Sequence, residues 1–295
     1  MSSMKGDSIR IARAYLDTLV VEGRIIGSVH PDARTTLLGQ EVSTPIMTAA
    51  LSHLKRGMTD FAKGAADAGA LCQIGMGDNA QLGGALATGA KIIKIIKPYA
   101  DPEEIFSRLR YAEEHGAAAV GMDVEHAVNA DDDADSVVVG YPMKLPTPEE
   151  LKGYVAATKL PFLIKGAFSA QDAVRAREIG CAGVILSHHN GLLRWAAPNV
   201  SLLPEIRRAV GKDFLLIIDG GIEDGFDAFK ALALGADAVS VGKALMGPYD
   251  EKGAAGVTEV LTAMTNQLKA MMLRTGSPDV RHIDPAVIHE APWLR

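Results

Sequence analysis

Nowhere in the 295 residues does an apolar run approach the roughly 20 residues that a membrane-spanning helix needs. Arginine- and lysine-rich runs are missing as well. With a net charge of −6, nucleic acid is excluded as the main partner. Cysteine is scarce. Cys72 and Cys181 stand far apart in apolar surroundings, which excludes a disulfide framework or a cysteine metal site and fits buried thiols in a reducing compartment. The opening MSSMKGDSIRIARAY has no uninterrupted apolar core and no cleavage site, so no secretory signal is expected. No linker and no low-complexity segment breaks the chain. What remains is a chain with 48% apolar residues, long enough to bury one large core. The expectation is a single cytoplasmic enzyme domain over 1–295, with an N-terminal helical extension over 1–40.

The apolar pattern alternates between short continuous runs and amphipathic stretches. It predicts strands over Pro45–Leu51, Ala70–Met76, Lys91–Lys97, Ala118–Glu125, Pro161–Gly166, Ala182–His189, Phe214–Ile218 and Ala238–Val241. Between them helices are predicted over Thr59–Ala68, Gln81–Gly89, Pro102–His115, Pro148–Thr158, Ala170–Ile179, Leu202–Val210 and Asp224–Leu234. A helix over Ser8–Val21 precedes them, Ile25–Leu38 reads as irregular or β, and a last helix spans Gly253–Arg274. The tail after Gly276 carries prolines and is expected on the surface. Asp101, followed by Glu103 and Glu104, is a helix start that complements the dipole. Eight strands alternating with helices make a (β/α)8 TIM barrel. Two excursions interrupt it, Asn129–Pro146 with its DDDAD run after strand four and Asn190–Asn199 after strand six. The first reads as a solvated loop or a mobile lid over the mouth.

The stretch FLLIIDGGIEDGFDAFKALALGADAVSVGKALM, Phe214–Met246, organises the chemistry. Asp219, Gly220 and Gly221 follow strand seven, and Gly242 and Lys243 follow strand eight. Glycines there either serve tight turns or let backbone N–H groups approach a ligand, and adjoining helix starts favour an anion. Late strand ends of this kind are where such barrels hold phosphate.

Polar groups that end apolar strands are costly unless paired or used. Lys97, Asp123, Glu125, Lys165, His188, His189, Asp219 and Lys243 occupy such ends. Lys165 closes PFLIKG and points into the mouth. A purely structural alternative pairs it with Asp219 or Glu125. Lys97 with Asp123 or Glu125 reads equally as an inter-strand ion pair or a functional group. His189 is a core histidine or a base.

The blocks TTLLGQEVSTPI, IKGAFSAQDAVRA, ILSHHNG and DGGIEDGFDAFKALALGADAVSVGKALM resemble the FMN-dependent α-hydroxy-acid oxidases and dehydrogenases, such as glycolate oxidase and lactate oxidase. The resemblance runs from Thr35 onward and is strongest over Pro161–Thr275. It implies FMN at the mouth of the barrel. Lys165 falls on the family lysine beside the flavin, and Asp219, Gly220, Gly221, Gly242 and Lys243 fall on the phosphate-holding segments. His189 falls on the catalytic histidine, Glu125 on the carboxylate that orients it, and Ala49 and Ala50 on the strand facing the flavin. Lys97 falls on a substrate-holding tyrosine.

Departures sit on the substrate side. Where the family has S-N-H-G-G-R, this chain has Ser187-His188-His189-Asn190-Gly191-Leu192. The arginine after DGG is Glu223, and Gly-Arg has become Gly242-Lys243, which keeps the charge but loses the bidentate fork. Lys97, Asp123 and Arg194 are the substitute substrate contacts. The resulting expectation is an FMN-dependent oxidoreductase acting on a small hydroxy acid or related alcohol or carbonyl compound through an altered pocket. Catalytic roles go to His189, Lys165, Glu125 and Lys97. Alternatives are a non-redox lyase or isomerase using Lys165 as a Schiff base or a metal on Asp123, Glu125, His126, His188 and His189, and a non-catalytic flavin binder. The leading reading takes no metal. Family membership implies a homo-oligomer, a tetramer or larger.

Overall fold

Eight parallel strands close on themselves in chain order: Ile46–Leu51, Leu71–Ile74, Lys91–Ile96, Ala119–Asp123, Phe162–Lys165, Gly183–Leu186, Leu215–Asp219 and Ala238–Val241. The last pairs with the first, Val241 opposite Thr48, which seals the cylinder. This computed structural model describes residues 6–52, 54–128, 140–187, 189, 191–291 and 293. The DDDAD run, His188 and Asn190 lie outside the described residues.

Side chains alternate across a strand, so every second residue enters the barrel. The lower interior is apolar: Met47, Leu71, Ile93, Ile95, Ala119, Leu163, Ile185, Ile217 and Ala238 pack together there. Two residues further along the same rows the character changes. Gln73, Lys97, Asp123, Lys165, Ser187, Asp219 and Ser240 form a polar layer at the C-terminal ends of the strands, where barrel enzymes keep their chemistry. The opposite rows face the helices and make the larger outer core, with Ile92, Val120, Ile164, Val184 and Ile218 among its buried residues.

Helix starts follow the sequence. Asp101 accepts from Glu103 N at 2.9 Å, and Asp224 accepts from Phe226 N and Asp227 N, each at 2.9 Å. Thr147 and Glu150 make a reciprocal capping box. Each such cap is worth about 1 kcal/mol.

Several boundaries differ from the sequence reading. The helix expected over Ser8–Val21 stops at Thr18, and Leu19–Val21 pairs antiparallel with Ile288–Glu290 from the tail. The Ile25–Leu38 stretch yields one arm of a hairpin, Thr35–Leu37 with Gln40–Val42. Its turn residues Leu38 and Gly39 have φ of 52° and 74°, as a tight hairpin demands. Leu37 and Val42 join the inner apolar cluster and plug the N-terminal end of the barrel. Strand four ends at Asp123 rather than Glu125, and a 3-10 turn, Val124–Ala127, follows it. A helix over Lys243–Lys252, absent from the sequence reading, contains Pro248 and precedes the long helix Ala254–Arg274.

Candidate active site

Asp123 lies at the centre of the mouth. It is 1% exposed, and its Oδ2 receives Lys97 Nζ at 3.0 Å, Lys165 Nζ at 3.1 Å and His189 Nδ1 at 3.1 Å. Strands three, four and five are neighbours, and Asp123 is directly opposite Lys165 in the register. Three apolar strands thus end on one buried ion cluster. Burial pushes the Asp123 carboxyl up, but Lys165, His189 and Lys97 outweigh it and hold the group well below the usual carboxylate range. Its other oxygen, Oδ1, is buried without a hydrogen-bond partner.

The carboxylate on His189 is therefore Asp123, not Glu125. The resemblance put Glu125, two residues further on, in this role; strand four stops at Asp123 and leaves Glu125 in the turn beyond it. Glu125 stands in the 3-10 turn instead, beside Gly166, where an added Cβ would meet the Glu125 Cβ at 2.9 Å. Burial raises its carboxyl to about 7, with Lys165 opposing and Asp123 and Asp219 adding to the rise. Glu125 Oε2 also lacks a partner. Lys165 pairs with Asp123, and neither Asp219 nor Glu125, the partners of the structural alternative, forms an ion pair with it.

His189 has φ of 41°, a left-handed backbone that histidine tolerates better than most residues. Its N–H donates to Ser187 Oγ at 3.2 Å, while Ser187 Oγ donates to Asp219 Oδ2 at 2.8 Å. Nδ1 also lies 2.9 Å from Lys165 Nζ. Burial lowers the imidazole pKa to about 4, with Asp123 raising it and Lys165 lowering it further, so the ring is neutral at pH 7. His126 meets the far side of this ring, Nε2 to Nε2 at 2.5 Å.

At the other end of the mouth, Gly220 and Gly221 turn with φ of 94° and 80°. Asn199, fully buried, donates from Nδ2 to Asp219 O at 2.8 Å and Gly220 O at 3.1 Å, fixing this turn. Arg13 donates to Gly221 O at 3.2 Å and also grips Asp227. The helix beginning at Lys243 has Gly242 as its N-cap, with no side chain capping it and no acid in its first turn. Its first N–H groups and the exposed Lys243 are suited to an anion. Gly242 packs against the first strand, where a Cβ would stand 3.3 Å from Ala49. Ala49 is buried and Ala50 half-buried at the end of that strand. Arg194 is exposed on the segment after strand six, outside the buried cluster. Ser8 Oγ, which accepts from Ala196 N at 3.0 Å, and Gly6 O, which accepts from Trp195 N at 3.0 Å, anchor that segment to the N-terminal helix.

Sequence reasoning passed over Gln73, Asn199 and Arg13; it named His126 as a metal ligand in an alternative reading and Ser187 as part of the histidine motif. Gln73 did carry a signal, as a lone amide in the apolar run LCQI. Its Nε2 donates to Ser240 Oγ, and its Oε1 is buried and unpartnered within the barrel. Lys94, on the outward row, donates to Gly75 O at 2.7 Å and holds the loop after strand two; burial lowers its pKa to about 7. Asp123, His126 and His189 bring metal-type donor atoms within 4.8 Å of one another. Two ammonium groups already crowd Asp123 Oδ2, which opposes a dication there.

The chain matches the sequence model of the FMN-dependent dehydrogenase family over residues 2–146 and 127–290. An L-lactate oxidase of Alicycliphilus denitrificans is 42% identical over 132 residues, which span 44% of this chain and 36% of that protein. The matched stretch is thus about a third of the relative's length. A mandelate oxidase variant solved with (S)-mandelic acid superposes with a TM-score of 0.87 at 25% identity, covering 96% of this chain and 89% of that one. Another, holding a monooxide FMN adduct, gives a TM-score of 0.84 at 26% identity, with 96% and 91% covered.

Proposed function

Because the chain belongs to the FMN-dependent dehydrogenase family, we propose that it is an FMN-dependent oxidoreductase that oxidises a small 2-hydroxy acid or a related alcohol. The observation that carries this is the cluster of a neutral histidine, a buried carboxylate and a buried lysine within 3.1 Å of each other at the mouth of the barrel. The residues fit the cofactor at both ends. The uncapped helix start at Lys243 and the Gly220–Gly221 turn would hold the phosphate. The unpartnered Gln73 Oε1 is a buried acceptor for a ring N–H, and Lys165 would stand beside the ring, with Ala49 and Ala50 along it.

FMN, when bound, supplies the acceptor for an electron pair. The chain supplies the rest. His189 takes the hydroxyl proton at a ring nitrogen, and the substrate C–H hydrogen leaves with its electrons as the carbonyl forms. Asp123 orients the imidazole and offsets the charge it gains. Lys97 holds Asp123 ionised, and Lys165 adds positive potential where negative charge builds. The family's substrate arginines are Leu192 and Glu223 here, and Glu223 is exposed. We therefore assign an altered substrate pocket, with Lys97, Asp123 and Arg194 as its polar contacts.

Among the described residues no helix is long and apolar enough to cross a membrane. A cytoplasmic location and a homo-oligomer of four or more copies are part of the same proposal. The exposed Ile25, Ile26 and Val29 offer apolar area for assembly, to be tested by light scattering.

The deciding experiment is the visible spectrum of the purified protein with mass identification of any released cofactor, followed by anaerobic titration with lactate, mandelate and simple alcohols. Stoichiometric FMN that bleaches is expected. A colourless protein that also fails to take up added FMN would overturn the reading.

A further inference from the structure

His126 and His189 meet edge to face, ring centroids 3.7 Å apart at 88°. Their Nε2 atoms are 2.5 Å apart, while His189 Nδ1 faces Asp123 Oδ2 at 3.1 Å and Lys165 Nζ at 2.9 Å. A neutral imidazole carries one proton, on one nitrogen. Two bare nitrogens this close would repel, so one proton lies between the rings. With the His189 proton given from Nδ1 to Asp123, the nitrogen left to act as base already accepts from His126. His126 is 4% exposed and set in the 3-10 turn that follows strand four, three residues beyond Asp123, so this contact is built into the backbone.

We propose that His126 and His189 work as one proton-sharing pair, His126 acting through His189 as its proton partner. The proposal rests on the oxidoreductase reading above. At rest His126 Nε2–H donates to His189 Nε2. During turnover the substrate O–H bond breaks and an N–H bond forms at His189 Nε2. The substrate C–H hydrogen leaves with its electron pair, for which FMN, when bound, would be the acceptor, and the carbonyl forms. His126 gives its Nε2 proton to water and takes one from water at Nδ1, so that its Nε2 turns from donor to acceptor and keeps the new proton bridged. The pair gains one proton and one positive charge. Asp123 offsets that charge, Lys97 and Lys165 oppose it, and Glu125 and Asp219 are further ionisable groups near it among the described residues. The proton returns to water once product has left.

The test combines proton NMR of the protein as purified with stopped-flow flavin reduction across pH. Two low-field imidazole N–H resonances are expected in the wild type, one from His189 Nδ1–H on Asp123 and one from the inter-ring proton; His126→Phe should lose the second alone and His189→Ala both. His126→Phe should reduce its flavin at least about tenfold more slowly, with unchanged FMN content and a shifted pH profile. His126→Gln, which can donate or accept but cannot change tautomer, should fall between the two, and it carries the test if the Phe variant does not fold. A wild-type rate and pH profile in these His126 variants, with both resonances retained, would overturn the pair. A wild-type rate in His189→Ala would instead overturn the underlying assignment of the base.

Discussion

Asp123 Oδ2 lies 3.1 Å from Lys165 Nζ, and this contact joins strands four and five at the depth where the barrel interior turns from apolar to charged. Removing the negative charge strands two buried cations, since Lys97 relies on the same oxygen. Asp123→Asn should therefore cost about 3–5 kcal/mol of stability at pH 7, read by urea unfolding. The folded-state pKa is depressed, so this contribution is present above about pH 4 and is lost as pH falls through the folded value. The gap between wild type and variant should close in acid. Equal stability at pH 7 would show that the cluster has another source of charge balance.

Glu125 runs the opposite way. Its carboxyl is raised to about 7, so the folded site keeps a proton that the unfolded chain releases near 4.5. The stability it lends is present below the unfolded value and lost as pH climbs through 7. Between pH 5 and 8 the wild type should lose up to about 3 kcal/mol relative to Glu125→Gln. His189, lowered to about 4, contributes the reverse slope in both proteins, so the difference between them isolates Glu125. Parallel stability curves would place the carboxylate in water.

Under the proposed FMN assignment, Lys243→Ala should weaken cofactor affinity about 10- to 100-fold, the worth of one charge-assisted contact. Lys243→Arg should retain it. Fluorescence quenching of added FMN measures both, and an alanine variant with wild-type affinity would take the phosphate away from this helix start.

The barrel was legible because short continuous apolar runs, repeated eight times with amphipathic stretches between, admit few other architectures. Most predicted strands are right to within a few residues. The ion cluster was only half legible. Lys97, Asp123, Lys165 and His189 could be named from strand ends, but which carboxylate serves the histidine depends on where strand four stops. The run GMDVE gives no sign that a 3-10 turn begins at Val124. His126 carries no periodic signal at all, since its partner is 63 positions away. The helix Lys243–Lys252 was not read from the sequence; it packs closely on the long helix, where a Cβ on Gly256 would stand 2.0 Å from Pro248 O.

Arg13 gives a fourth expectation. It is the bidentate partner of Asp227, whose side chain is 4% exposed. Arg13→Ala leaves that carboxylate buried without its cation, though still accepting from Glu223 N at 3.1 Å, and should cost about 3 kcal/mol in thermal or urea unfolding. Pairing it with Asp227→Leu should recover much of the loss. A single variant as stable as the wild type would mean that water reaches Asp227.

The same N-terminal helix, Ser8–Thr18, is a stiff rod of about 16 Å. Near one end, Ser8 holds the segment that follows His189. Further along, Arg13 holds the turn at Gly221. Two loops that the barrel itself leaves independent are thereby mounted on one strut. Whatever tilts or frays that strut misaligns both ends of the mouth together, so damage far from the reacting atoms would register as a loss of both cofactor and substrate at once.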